Sequence, residues 1–339
     1  MNFRERFKRV MNFQKVDHLP AMEWICWWDK TIDRWKSEGL TPGLKREDIL
    51  RHFGLDVHNR MWLSPRFHVK RDPDKPRSEG IIESEADYER MVLPCASNPS
   101  VELERIKRIA EEQKKGEAIF ELAIDGFFWY PREVFGVERH LFAFFDQPEL
   151  MMRMNEDLCN YHLKCLEQIL EITVPDVLQF AEDMSYNNGP MLSREQFEEF
   201  VVPFYKRIIP KMRKAGSIVM VDTDGDVTPM IPWLQEAGVE GCSPLECMAG
   251  VDVAEIRRRF PDWKMIGGFD KTITHLGEKT IRDEFERLLP VMKSGGYIPT
   301  TDHQTPPDVS LETFQTYVGI LKEYCAKAAG EMELGSRNN

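Results

Sequence analysis

The 339-residue sequence is short of cysteine, of basic residues relative to acidic ones, and of long apolar runs. Its seven cysteines (Cys26, Cys95, Cys159, Cys165, Cys242, Cys247 and Cys325) are odd in number, scattered, and include no C-x-x-C pair. That usage fits a reduced, cytoplasmic protein with mostly structural thiols. The 45 Lys and Arg residues are outnumbered by 57 Asp and Glu, for a net charge of −12. Without a basic stripe the chain offers nucleic acid no footprint, and its acidity favours solubility. No apolar run approaches the roughly 18 residues of a membrane span. The opening MNFRERFKRVMNFQ is charged and has no apolar core, so no secretory signal is expected. Internal repeats, low-complexity blocks and linkers are also lacking.

What does recur is a short apolar run, a polar residue, and then a helical segment. The runs lie at 19–24, 118–125, 177–183, 217–224, 239–246, 264–270 and 297–303. Near-continuous apolar runs of this length suit parallel strands buried on both faces. Between them, 149–172 is amphipathic at helical spacing. Residues 194–214 follow a capping-box pattern of Ser193 and Gln196, with Pro203 and Pro210 expected to break the helix. Helices are also expected over 251–260 with Asp252 as cap, over 280–296, and over 311–329 with Ser310 as cap. Alternating strands and helices imply a parallel α/β architecture. Seven units plus an ambiguous stretch at 57–70, either a barrel strand with a hairpin arm or a hairpin alone, predict a distorted (β/α)8, TIM-like barrel with N-terminal helical and hairpin additions. The expected organisation is one barrel domain over 1–330, with a charged, Pro-rich surface excursion at 70–95 and a disordered tail at 331–339.

In a parallel barrel, function gathers at the C-terminal ends of the strands. That rule selects Glu23 and Trp24, Asp125, Glu182 and Asp183 with Tyr186 beyond them, Asp222 and Asp224, Glu246, Asp270, and Asp302 with His303. A single acidic residue there needs no function, because solvent begins where strands end. A whole set is harder to dismiss, since Ser, Asn or Gly make turns equally well. The stretch VDTDGDV (221–227) crowds three carboxylates into five residues. Like charges at a strand mouth are costly unless something positive sits among them. An EF-hand loop is excluded. It needs Gly at position 6 and Glu at position 12, whereas counting from Asp222 puts Gly225 fourth and Trp233 twelfth. Asp226 reads as a cap for the helix that starts near Pro229, which leaves Asp222 and Asp224 for a site. His303 follows the last strand and adjoins Asp302, which could orient its ring. Aromatic residues cluster after two strands: Trp24, Trp27, Trp28 and Trp35, then Phe127, Phe128, Trp129, Tyr130 and Phe135. Some must fill the core, yet such a cluster also suits an apolar pocket for a flat ligand, with Trp24 and Phe128 in its wall.

Together, VDTDGDV, GCSPLECMAGVDVAEIRRRF, IGGFDKTI and GGYIPTTDHQTPPDVS resemble the uroporphyrinogen decarboxylase superfamily, best over about 175–325. The resemblance implies a distorted (β/α)8 barrel. It also implies one of two activities, porphyrinogen decarboxylation or corrinoid-dependent methyl transfer. True decarboxylases carry an N-terminal R-Q-A-G-R stretch for their acidic substrate. Here that region reads LPAMEWICWWDK, without an arginine pair, which favours the methyltransferase branch. That branch binds zinc through H-x-C after one strand and Cys after the last. In this chain Asp222-Thr223-Asp224 stands for H-x-C and His303 for the last Cys, with Glu182 as a further ligand.

By this analogy the metal set is Glu182, Asp222, Asp224 and His303, with Asp222, Asp302 and His303 catalytic. Glu23, Trp24, Asp125, Phe128, Asp183, Tyr186, Glu246 and Asp270 are expected to bind substrate. Zinc is the favoured cation by family, while an oxygen-rich set also admits manganese, iron or magnesium. Such a hard Lewis acid would polarise an ether or hydroxyl oxygen, as in demethylation of a methoxylated compound. The methyl acceptor would be a corrinoid on a separate protein, because no H-x-x-G-type corrinoid module is present. Relatives in the family often form dimers, which admits a homodimer, while the sequence itself leaves the oligomeric state open. Two other readings stay open. One is a metal-free decarboxylase or lyase with Asp222 or Asp302 and His303 as acid and base. The other is a non-catalytic barrel that holds a tetrapyrrole or a corrinoid-linked ligand.

Overall fold

The computed structural model describes residues 1–70, 76 and 79–332. The expected tail lies outside these residues except for Glu331 and Met332, as does part of the 70–95 excursion. Among the described residues there are nine strands: β1 (Val57–Leu63), β2 (Ala118–Asp125), β3 (Val177–Ala181), β4 (Ser185–Tyr186), β5 (Gly189–Pro190), β6 (Ile218–Asp222), β7 (Gly241–Ser243), β8 (Lys264–Phe269) and β9 (Tyr297–Thr301). Seven form one parallel sheet in the order β1-β2-β3-β6-β7-β8-β9, and β4 with β5 makes a separate small antiparallel hairpin. β2, β3, β8 and β9 are buried at every position, as their unbroken apolar runs require of parallel strands covered on both faces. A single connected core runs from Phe3 to Met332.

The sequence predicts eight strands in a closed ring. The sheet instead curls into an open half-barrel, with no ladder joining β9 to β1 among the described residues. The stretch 57–70 resolves to β1 followed by a 3-10 turn, Pro65–His68, with no hairpin arm among its residues. The first expected strand, 19–24, is where closure fails. It contacts both edges without pairing. Asp56 N donates to Ala21 O at 2.8 Å, and Ala21 N donates to the Asp56 carboxylate at 2.9 Å. On the other side the Glu23 carboxylate accepts from Thr301 Oγ1 at 2.6 Å and from Thr301 N at 3.3 Å. Side chains thus take the backbone donors that a ladder would use, and Pro20 has no N–H to offer. Just after this segment, an isolated bridge pairs Trp27 with Thr305, in the chain beyond β9.

The helices follow their capping signals. Ser193 and Gln196 form the expected capping box on Arg194–Phe200. Asp252 caps Val253–Arg259 and Ser310 caps Leu311–Gly330. Pro203 restarts the chain as Val202–Ala215, a helix that carries Pro210 inside it rather than breaking there. The long helix Pro148–Leu170 matches the expected amphipathic stretch. Register then sets the site. Asp125 pairs with Ala181, Ala181 with Asp222, and Asp222 with Ser243. The C-terminal ends of four strands therefore lie on one rung, and the residues just after them share one mouth.

Candidate functional site

The VDTDGDV turn is held in place from three sides. The Thr223 hydroxyl accepts from Met184 N at 3.0 Å and Ser185 N at 3.1 Å, which ties it to the chain leaving β3. Gly225 has φ +77°, and its amide donates to the Glu246 carboxylate at 3.0 Å. A Cβ at Gly225 would meet the Tyr186 backbone at 2.5 Å, so both conformation and space call for glycine. Asp226 accepts from Thr228 N at 2.9 Å at the start of the 3-10 turn Thr228–Met230. This leaves Asp222 and Asp224 facing the mouth, in a cavity of about 230 Å³. The lining also includes Arg60, Trp62, Trp129 and His303.

Asp224, Glu246 and His303 converge. Their ligand atoms all lie within 4.8 Å of one another, the only such group among the described residues. His303 Nε2 stands 3.8 Å from Asp224 Oδ2. The position of Asp224 in the recess, then the charges of Asp222, Asp183 and Glu246, raise its carboxyl to about 8. Burial, followed by the Lys271 charge, lowers the His303 imidazole below its ordinary value, leaving it neutral at pH 7 with a lone pair to give. Two carboxyl groups and a neutral imidazole suit a divalent cation, whose binding would displace the proton that the raised Asp224 carboxyl holds near pH 7. No thiolate joins them. Cys247, next to Glu246, lies 3.4 Å from Gly268 O, and burial holds its thiol well above the usual range.

Two expected metal ligands are placed elsewhere. Asp222 Oδ2 sits 3.4 Å from Arg60 Nη2, and burial raises its carboxyl to about 6 in spite of that cation. Glu182 is fully buried and accepts from Phe127 N at 2.9 Å, Phe128 N at 2.8 Å and the Tyr205 hydroxyl at 2.7 Å. Its oxygens are therefore spent on amides ahead of the helix Trp129–Phe135. Gly126 is required beside it, because a Cβ there would lie 2.0 Å from Glu182 Cδ.

Other candidates are also structural in their contacts. Asp302 does not orient His303. It is buried and accepts from Cys247 N at 2.9 Å and Lys271 N at 3.1 Å, pinning two loops. Asp125 accepts from Arg66 Nε and Trp62 Nε1, each at 2.9 Å, and from the Ser64 hydroxyl. Glu23 is buried against Thr301 and the Tyr317 hydroxyl. Trp24 stacks on His58 at 4.8 Å and Phe128 packs on His140 at 4.6 Å, both in the core. Asp270 caps the turn Lys271–Leu276, and Tyr186 is exposed and outside the cavity lining. Asp183, which lines the cavity, pairs with Arg132 at 2.7 Å. The sequence reading missed Arg60, Trp62 and Lys271, whereas Trp129 belongs to the aromatic cluster it singled out and does line the cavity. Its own demand for a positive partner among the acids was the available signal, and Arg60, at the centre of β1, was the residue that met it.

A parallel sheet whose strand ends gather carboxylates, an imidazole and an arginine around one cavity gives an α/β fold with a candidate site at its C-terminal mouth. More particularly, the chain belongs to the uroporphyrinogen decarboxylase (URO-D) family, whose model matches residues 74–324. Among solved structures, a methyltransferase from Methanosarcina mazei shares 14% identity over 95% of this chain and 98% of that chain, with a TM-score of 0.64. That similarity is one of fold. A protein described as the vitamin-B12 independent methionine synthase of Listeria monocytogenes shares 11% identity over 95% of this chain and 99% of its own, with a TM-score of 0.47. This second likeness is too loose to argue from. Comparison with curated proteins finds no significant match. No helix of the described residues is long and apolar enough to cross a membrane.

Proposed function

We propose that this protein is a divalent-metal-dependent methyltransferase that removes a methyl group from a small substrate and passes it to a corrinoid on a partner protein. The observation that carries the reading is the convergence of Asp224, Glu246 and His303 within 4.8 Å at the mouth. Family membership and the fold shared with a methyltransferase support it. A cation held by this trio would supply a Lewis acid to a substrate oxygen, zinc being favoured and manganese, iron or magnesium also compatible with the donors. The chain's own residues do the rest. The Gly225 amide and Lys271, 3.7 Å from Glu246, hold that carboxylate in place. Ile25, Trp62 and Trp129 give the cavity an apolar wall that excludes water from the substrate's body. At about 230 Å³ the cavity falls below the roughly 300–1,000 Å³ of drug-sized sites, which disfavours an enclosed tetrapyrrole.

Metal analysis of protein purified without chelator, followed by methyl transfer to reduced cobalamin from methoxylated donors, tests the reading. About one divalent ion per chain, lost from Asp224→Ala, Glu246→Ala and His303→Ala, is expected. A metal-free folded protein whose three variants behave as wild type refutes it. One observation favours a second reading. Asp222, raised to about 6 beside Arg60, is poised as a proton donor for a decarboxylase or lyase. Carbon dioxide release without metal or corrinoid, abolished in Asp222→Asn, would select that alternative.

A further inference from the structure

Arg60 differs from the other arginines around the mouth. Arg66 donates to Asp125 through Nε at 2.9 Å and through Nη2 at 3.3 Å, and also reaches Glu133. Arg132 donates to the Asp183 carbonyl at 3.0 Å and its carboxylate at 2.7 Å. A guanidinium has five N–H donors. Among the described residues the Arg60 side chain makes one hydrogen bond, the long 3.4 Å contact from Nη2 to Asp222. Its Nε is buried and lies 3.1 Å from Glu121 Oε1 without the alignment of a hydrogen bond. Glu121, fully buried on β2, thus holds the stem of Arg60 electrostatically while the fork faces the cavity. Trp62 covers one side of the guanidinium at 5.4 Å.

We propose that Arg60 is the anion receptor of this cavity, and that the substrate is a small carboxylic acid with an apolar body of about one ring. The inference deepens the methyltransferase reading and rests on its assignment of the cavity as the substrate site. The fork makes only one long hydrogen bond and so has donors left to give, and a planar carboxylate matches a guanidinium fork in two parallel bonds. The cavity volume of about 230 Å³ and the Ile25, Trp62 and Trp129 wall set the size and polarity of the body.

The test is equilibrium binding to the full chain, read by tryptophan fluorescence and calorimetry, with zinc and with chelator. The probes are benzoate and 4-methoxybenzoate against benzamide and 4-methoxybenzamide, which keep shape and remove charge. Wild type is expected to prefer each acid by at least about tenfold. Arg60→Gln is expected to bring that ratio close to one while keeping amide binding. Arg60→Lys keeps a charge beside Glu121, protects the fold if Arg60→Gln does not fold, and is expected to lower the ratio several-fold by losing the fork. Failure of both acids to bind, equal binding of acid and amide, or an unchanged ratio in the variants overturns the proposal. Methyl transfer plays no part in the measurement. Carboxylate preference without any methyl transfer rejects the methyltransferase reading alone. Methyl transfer without carboxylate preference rejects the anion receptor alone.

Discussion

Glu182→Ala separates a metal ligand from a structural strut. The carboxylate accepts from Phe127 N at 2.9 Å, Phe128 N at 2.8 Å and the Tyr205 hydroxyl at 2.7 Å, all buried. Each donor left without a partner costs roughly 1–3 kcal/mol, so the substitution removes about 3–9 kcal/mol before any compensation. The compensation is the burial of the carboxylate itself, which raises its carboxyl from 4.5 to about 7. Because the folded value lies above the unfolded one, the native state holds this proton more tightly. The resulting stability is fully present below pH 4.5 and is lost as pH rises to about 7. For wild type that loss amounts to about 2–3 kcal/mol between pH 5 and pH 8, and the variant lacks it. The destabilisation caused by Glu182→Ala is therefore expected to be larger at pH 5 than at pH 8 by about that amount. Urea unfolding at the two pH values measures the difference, and metal content of the same preparations should be unchanged. A variant as stable as wild type at both pH values, but stripped of its metal, refutes the assignment of Glu182 as a strut.

Asp222→Asn is expected to keep its metal, since Asp222 lies against Arg60, whereas Asp224→Asn should weaken metal affinity by more than about 100-fold in a direct titration. Gly225→Ala places a Cβ 2.5 Å from the Tyr186 backbone at φ +77°, so it should cost about 1–3 kcal/mol by thermal unfolding and weaken metal binding together. Unchanged stability would show that the turn does not need glycine. Glu23 is likewise raised by burial from 4.5 to about 7, and its contribution is lost as pH rises through that window. Relative to wild type, Glu23→Gln should gain about 2–3 kcal/mol between pH 5 and pH 8 in urea unfolding, and parallel pH profiles would contradict this.

Much of this protein was legible from local pattern. Strands buried on both faces need unbroken apolar runs, so β2, β3, β6, β8 and β9 stood out directly. Ser193, Asp252 and Ser310 marked their helices because a side-chain oxygen satisfies amides a few residues away. The acidic strand ends and His303 were visible for the same local reason. The missing first strand shows where such reasoning stops. Residues 19–24 have the composition of a strand, but Glu23 and Asp56, acting as acceptors, replace the ladder.

The sequence by itself determined that carboxylates and one imidazole would collect at the C-terminal ends of a parallel sheet, because that follows from period and position alone. Only the tertiary structure decided which of them are free to act. Glu182 met the amides of residues 127 and 128, Asp302 met those of residues 247 and 271, and Asp222 met Arg60 from another strand. Glu246 alone was brought in from the expected substrate-binding set to complete the trio with Asp224 and His303. A carboxylate's role depends on which donor or charge reaches it first, and those partners lie tens to hundreds of residues away along the chain.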